Sequence, residues 1–232
     1  MDRVLKVMRF QLRDSCNALI IFYLVCAVVL ALFGMSISSG DGELSGFGMA
    51  AMIFIFIAGL NCLGTSFRFA QANNVSRRKF FFATSLALSA IAAFMAVVDV
   101  AMTGVLRQFL PYSGLFEQLY ASAAPVWDFL WSFALFTFAA HGGWLITMIY
   151  YRSNALVKTL VSISPVFVIL LLTYFNGRSD GALVRGIIRV LGSMFGLSGT
   201  PAPHAAVLTF LSGAVLSALG SWLLLRRASI RS

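Results

Sequence analysis

The chain has 232 residues, of which 60% are hydrophobic and only 11% charged, against roughly 25% charged in a typical soluble domain. Its mean hydropathy is +0.91 and phenylalanine alone fills 22 positions. A soluble globule of this length cannot hide so much apolar surface, so a soluble enzyme, a secreted disulfide scaffold and a disordered chain are excluded, and a bilayer is the solvent.

Residues 1–15 come first. Met1, Leu5, Met8 and Leu12 form an apolar stripe at helical spacing, and Asp2, Lys6, Arg9 and Arg13 form a charged one. Such a helix lies in the membrane interface with its cations toward anionic headgroups. The plainer reading is a basic leader that sets topology. The apolar run that follows is too long for a secretory signal, and no small-x-small site ends it cleanly, so it is expected to be retained.

A membrane-spanning helix needs about 20 mostly apolar residues. Six stretches qualify: 16–35, 46–66, 83–105, 126–150, 155–175 and 204–225. Stretches such as Ala50–Leu60 and Val166–Leu172 are apolar on every face, not alternating over ten-residue segments as in a barrel, so helices are expected. The expected fold is one all-α transmembrane domain over 1–232. Lys and Arg set its orientation. Arg3, Lys6, Arg9, Arg13, Arg68, Arg77, Arg78, Lys79, Arg152, Lys158, Arg226, Arg227 and Arg231 fall on one side, 13 against Arg107, Arg178, Arg185 and Arg189 on the other. Both termini are therefore expected inside. The net charge of +9 becomes an orientation signal and needs no nucleic acid. Tyr112, Tyr120, Trp127 and Trp131 read as an outer aromatic belt, and Tyr150, Tyr151 and Trp222 as an inner one.

The inner loop 67–82 carries Asn73, Asn74, Val75, Ser76, Arg77, Arg78 and Lys79 ahead of Phe80. Asn74 or Ser76 is a candidate cap for the third span, and the basic triplet would be presented just under the membrane. A short helix here would suit a groove on a cytoplasmic partner; the alternative is flank charge that only sets topology. Residues 151–154 leave room only for a tight turn, which makes spans four and five antiparallel neighbours. The outer segment 176–203 puts Leu183, Ile187, Ile188, Leu191 and Met194 on one helical face and Arg185 and Arg189 on another. It reads as one or two short amphipathic or re-entrant helices.

Polar groups within spans are functional candidates. Asp99 lies near the outer end of span three and His141 deep in span four, at depths too different for a direct pair. Asn61 in span two is placed to hydrogen-bond across helices, and Gly142-Gly143 marks a bend or a close approach. Small residues line span three (Ser85, Ser89, Ala92, Ala96) and span six (Gly213, Ser217, Ser221), which permits close packing. The cysteines, Cys16, Cys26 and Cys62, are odd in number and lack metal spacing, so no metal or disulfide role is expected. Asn74-Val75-Ser76 matches a glycosylation sequon on the wrong side of the membrane.

No Gly-x-x-x-x-Gly-Lys-[Ser/Thr] loop is present, and no catalytic motif that makes the chain an enzyme. Gly196-Leu197-Ser198-Gly199 matches the Gly-x-Ser-Gly of rhomboid-type intramembrane proteases, but such a protease needs a histidine at matching depth.

The order of parts resembles the membrane subunits of type-2 ATP-binding-cassette (ABC) exporters. In that family a basic amphipathic elbow helix precedes six spans, a coupling helix lies between spans two and three, and re-entrant helices precede span six. The stretch Ser76-Arg77-Arg78-Lys79-Phe80 is similar to the Ser-Arg-x-x-Phe-like sequence after the coupling helix. The chain looks most like the small permeases of bacterial peptide-export and lantibiotic-immunity systems. The resemblance implies a multi-pass permease of the bacterial cytoplasmic membrane, in which two permease chains join two ATPase subunits that hold ATP and Mg. It implies an amphipathic or lipophilic substrate, such as a peptide, with residues 73–79 as ATPase-docking residues. Spans two and five would line the path, with Phe54, Asn61 and Phe167 as candidates. The competing readings are an ion-coupled secondary transporter using Asp99 and His141, and a membrane anchor without transport.

Overall fold

The computed structural model describes residues 2–37, 45–122, 124–178, 181–198 and 200–226. All the regular structure among them is helical: α1 (Asp2–Ile37), α2 (Phe47–Asn61), α3 (Gly64–Ala72), α4 (Arg77–Phe109), α5 (Leu115–Tyr120), α6 (Pro125–Arg152), α7 (Ala155–Arg178), α8 (Ala182–Met194) and α9 (Pro203–Leu225). Five of these, α1, α4, α6, α7 and α9, are long and apolar enough to cross a membrane. The chain is an all-α, multi-pass membrane protein.

The second expected span, 46–66, forms differently. Its apolar part is α2, 15 residues and about 22 Å long, shorter than a bilayer core of about 30 Å. The Cys62 amide bonds to the Gly59 carbonyl at 3.4 Å, which closes α2 with a tighter turn before Gly64 opens α3. The expected elbow and first span are likewise one helix. No proline or glycine interrupts residues 2–33, so α1 runs unbroken for 36 residues. Its buried face is offset from the expected stripe. Val7, Gln11 and Leu19 are buried, whereas Leu5 is 46% exposed and Met8 and Leu12 are half-buried.

α6 is the centre of the bundle and packs on α2, α4 and α9. Small residues set these distances, because dispersion at close range is what holds helices together in lipid. A Cβ on Gly59 would lie 2.1 Å from the Ala140 carbonyl oxygen, and one on Gly143 would lie 2.3 Å from that of Phe56. The two backbones therefore touch, and Thr147 adds a bond from its hydroxyl to the Leu60 carbonyl at 2.5 Å. On α4 the expected small face packs inward, with Ala92 and Ala96 fully buried. On α9 a Cβ at Gly213 would meet the Phe138 ring at 2.7 Å, and Ser221 is fully buried.

The expected outer aromatic belt is mostly core. Tyr112, Tyr120 and Trp131 are buried and only Trp127 is exposed. Phe116, Tyr120, Trp131, Phe195 and Phe210 pack in tilted, edge-on and stacked pairs with ring centroids 5.1–6.3 Å apart, and Tyr120 donates to the Phe195 carbonyl at 2.6 Å. Burial pushes the Tyr120 phenol above its usual range. Among the described residues the outer segment contains one helix, α8, with the Gly181 amide bonded to the Asn176 carbonyl before it and the Ala202 amide to the Gly196 carbonyl after it. Gly181, at φ +80°, opens it; Gly196, at φ +64°, follows it, and a Cβ there would lie 2.1 Å from the Ala202 carbonyl oxygen.

α1 and α7 complete the bundle differently. α7 follows α6 after Ser153-Asn154, as the short turn requires, but buries none of its residues. The most apolar window of α1 is also wholly unburied.

Candidate functional site

The turn between α3 and α4 is built by local hydrogen bonds. The Val75 amide reaches back to the Ala70 carbonyl at 2.9 Å, and Asn74 takes the left-handed conformation, φ +50°, that ends α3. Asn73 donates through its side chain to the Phe69 carbonyl at 2.8 Å. Ser76 then caps α4, its hydroxyl accepting from the Lys79 amide at 3.4 Å. Val75 packs into the core; Asn73, Asn74, Ser76, Arg77, Arg78 and Lys79 are exposed. Two long-range bonds fix the turn. Arg3 donates to the Asn74 carbonyl at 3.2 Å, and Arg77 donates to the Arg226 carbonyl at 2.9 Å. The basic turn is thus tied to the first turn of α1 and the last of α9. The helix expected in this loop is α3, centred several residues ahead of the basic triplet.

Phe54 and Asn61 come together as their seven-residue spacing requires, lining one cavity between α1, α2 and α4. Asn61 does not bridge helices as expected; it donates to the Ile57 carbonyl one turn back at 3.0 Å. Phe167 is elsewhere, on unburied α7 with 58% exposure, and does not line that cavity.

Asp99 and His141 are both buried and do not meet. The Ser132 hydroxyl donates to Asp99 at 3.1 Å and lies 3.4 Å from Asp128. A Cβ on Gly48 would lie 3.5 Å from an Asp99 oxygen, so the carboxylate sits beside the first turn of α2, where exposed helix N–H groups favour negative charge. His141 is nine residues beyond Ser132, about 14 Å along α6. Its Nδ1 lies 2.9 Å from the Thr137 carbonyl and its Nε2 lies 3.0 Å from the Ser85 hydroxyl. In the neutral ring Nδ1–H donates and Nε2 accepts, which satisfies both nitrogens. The Ser85–His141 bond was not legible in the sequence, because Ser85 read only as part of a small-residue face. A serine in mid-helix has its own amide and its neighbours' amides spent in the helix ladder, so none is free to hold an oxyanion. The pair ties α4 to α6.

The protease-like Ser198 is exposed and Gly199 lies outside the described residues; His141 is committed to Ser85 and Thr137. Two of the outer arginines have partners. Arg107 pairs with Glu117, and Arg178 lies 5.5 Å from the Tyr174 ring centroid. Among the described residues no group of three or more metal-ligating side chains forms. No protein-family model, no curated protein and no solved structure matches the chain.

Proposed function

We propose that the chain is the permease subunit of a bacterial ABC exporter, with six spans and both termini in the cytoplasm. Two permease chains and two ATPase subunits would form the complex in the cytoplasmic membrane. The substrate would be an amphipathic or lipophilic molecule such as a peptide. The observation that carries this reading is the basic turn tied to the start of α1 and the end of α9. Arg3 on α1 and the Arg226 carbonyl at the end of α9 hold a turn that also caps α4. A push from a cytoplasmic subunit on Asn73–Lys79 would reach three membrane helices at once, through bonds rather than through a flexible loop.

Two further features support it. The spans hold few ionisable groups, and Asp99 and His141 have separate partners, Ser132 for the one and Ser85 with Thr137 for the other, with His141 about 14 Å beyond Ser132 along α6, so no direct contact joins them. Energy supplied by another chain fits that scarcity. α1 and α7 also leave their apolar faces available to lipid or to a second copy. The test is association with the ATPase subunit after reversing Arg77, Arg78 and Lys79 to glutamate. Association should fall sharply while membrane insertion is retained; unchanged association counts against the docking role.

A further inference from the structure

The cavity between α1, α2 and α4 holds about 190 Å³ and has one polar end. Each helix turns one stripe toward the space, and the three stripes change character together. On α1 the lining runs from Gln11 and Ser15 to Leu19, and on α4 from Thr84 to Ile91. On α2, which runs the opposite way, it goes from Phe54 to Asn61, with Ser66 on α3 beyond. The polar end therefore faces the α2–α4 connection, and the apolar part points toward the middle of the bundle. Ala18, Ile57 and Asn61 are exposed, so the cavity opens between α1 and α2.

The polar end has one unmet group. Gln11 is 6% exposed and spends an amide N–H on the Thr84 hydroxyl at 2.9 Å. Its Oε1 is buried and has no hydrogen-bond partner. A buried acceptor left unmet is destabilising, and a donor arriving there removes that penalty. The terminal torsion of a glutamine is soft, so the amide turns readily toward such a donor. Asn61 spends an amide N–H on the Ile57 carbonyl, which leaves its own side-chain oxygen to accept. The hydroxyls of Ser15, Ser66 and Thr84 add uncharged donors and acceptors. Asp14 is the one ionised side chain among the described lining residues, and it already has a partner. A cationic head finds no free countercharge here, and an anionic head meets a like charge. What matches is a neutral head that carries O–H donors, on an apolar chain.

We propose that this cavity binds an uncharged single-chain lipid with a hydroxylated head, of the monoacylglycerol kind. One head hydroxyl donates to Gln11 Oε1 and the other to the Asn61 side-chain oxygen, and the chain lies along Leu19, Phe54 and Ile91. From the export reading the inference takes only the orientation, which sets the polar end at the inner leaflet. Binding is measured on the purified chain alone, so loss of the ATPase association would leave it standing, and its failure would leave that association untouched.

The probe is a monoacylglycerol carrying a photoactivatable diazirine on its acyl chain. Its control has both head hydroxyls methylated, which keeps the acceptors and removes the donors. The protein is placed in nanodiscs of phosphatidylcholine, whose head has no N–H or O–H donor, and irradiated. Labelled residues are then mapped by mass spectrometry. The monoacylglycerol should label the α1, α2 and α4 stripes about tenfold more than its methylated control, and unlabelled monoacylglycerol should compete. Gln11→Leu should remove that preference. Thr84→Val, which breaks the same contact between helices but keeps Oε1, should retain it. Ala58→Phe, which fills the slot, should block labelling of the stripes by either probe. Equal labelling by the two probes in the wild-type chain would overturn the proposal. So would a preference that survives Gln11→Leu or is lost in Thr84→Val, or labelling spread over the unburied faces of α1 and α7. Stronger labelling of the stripes by an amine or a carboxylate on the same chain would overturn it as well.

Discussion

Gln11 on α1 donates its side-chain amide to the Thr84 hydroxyl on α4 at 2.9 Å, a bond between residues 73 apart in sequence and buried at both ends. It joins the amphipathic start of the chain to the helix that carries the basic turn. With Arg3 bonded to the Asn74 carbonyl, it makes the beginning of α1 part of the bundle instead of a float on the membrane surface.

That bond should be measurable as a coupling energy. Gln11→Leu and Thr84→Val each remove one partner, and each should lower unfolding stability in detergent by about 1–2 kcal/mol. The double variant should cost less than the two singles combined, with a coupling of about 1 kcal/mol. Strict additivity would mean the bond contributes nothing.

Backbone contact between α2 and α6 makes a sharper prediction. Gly59→Ala and Gly143→Ala each drive a methyl into a carbonyl oxygen, at 2.1 and 2.3 Å, and neither carbonyl belongs to a flexible side chain. Each should cost about 3 kcal/mol or more, or force the helices apart. Gly142→Ala is the control. Nothing lies within 4 Å of its added methyl, and alanine favours a helix, so its thermal stability should hold or rise.

His141 should behave as a tie between helices. His141→Leu leaves the Ser85 hydroxyl without its ring partner, removes the ring bond to the Thr137 carbonyl, and should destabilise the chain by about 1–3 kcal/mol. His141→Gln, which keeps a donor and an acceptor, should recover part of that loss. Asp99→Asn should leave ATP-driven transport in reconstituted vesicles largely intact, because the Ser132 bond can persist. Transport that instead follows a proton gradient and is abolished by Asp99→Asn would favour the ion-coupled alternative.

The outer cap gives a smaller effect. Tyr120→Phe keeps the ring in the cluster with Phe116 and Trp131 and deletes only the bond to the Phe195 carbonyl. About 1 kcal/mol of stability should be lost, read as a fall in the thermal midpoint.

Much of the framework was legible in the sequence because lipid imposes length and hydropathy. The bounds of α6, α7 and α9 fall within a few residues of the expected spans. The Ser76 cap, the close approach at Gly143 and the shared cavity of Phe54 and Asn61 follow from local chemistry and helical spacing. What depends on tertiary partners was less visible. Hydropathy does not show that α2 stops at Asn61, because Cys62 and Leu63 continue the apolar run while the backbone turns. Periodicity on α1 pointed to the Leu5 face, but Val7 and polar Gln11 face inward because Thr84 waits there. Tyr112, Tyr120 and Trp131 had the composition of a belt; Tyr120 and Trp131 pack with Phe116 and Phe210 beside Phe195, and Tyr112 is buried against Phe47, so all three are core. Phe167 was grouped with Phe54 through a family pattern, and nothing in its spacing joined it to that site.

As the proposed permease subunit of an ABC exporter, the chain would draw the energy for its work from another subunit. The direct measurement is purification of the tagged chain from its native membrane in mild detergent, followed by nucleotide photolabelling and an ATPase assay of the purified complex. The expected result is an equimolar, nucleotide-labelled second subunit and ATP hydrolysis that is lost with the Arg77, Arg78 and Lys79 reversal. A chain that purifies without any nucleotide-binding subunit, yet moves substrate in vesicles energised only by an ion gradient, would contradict it.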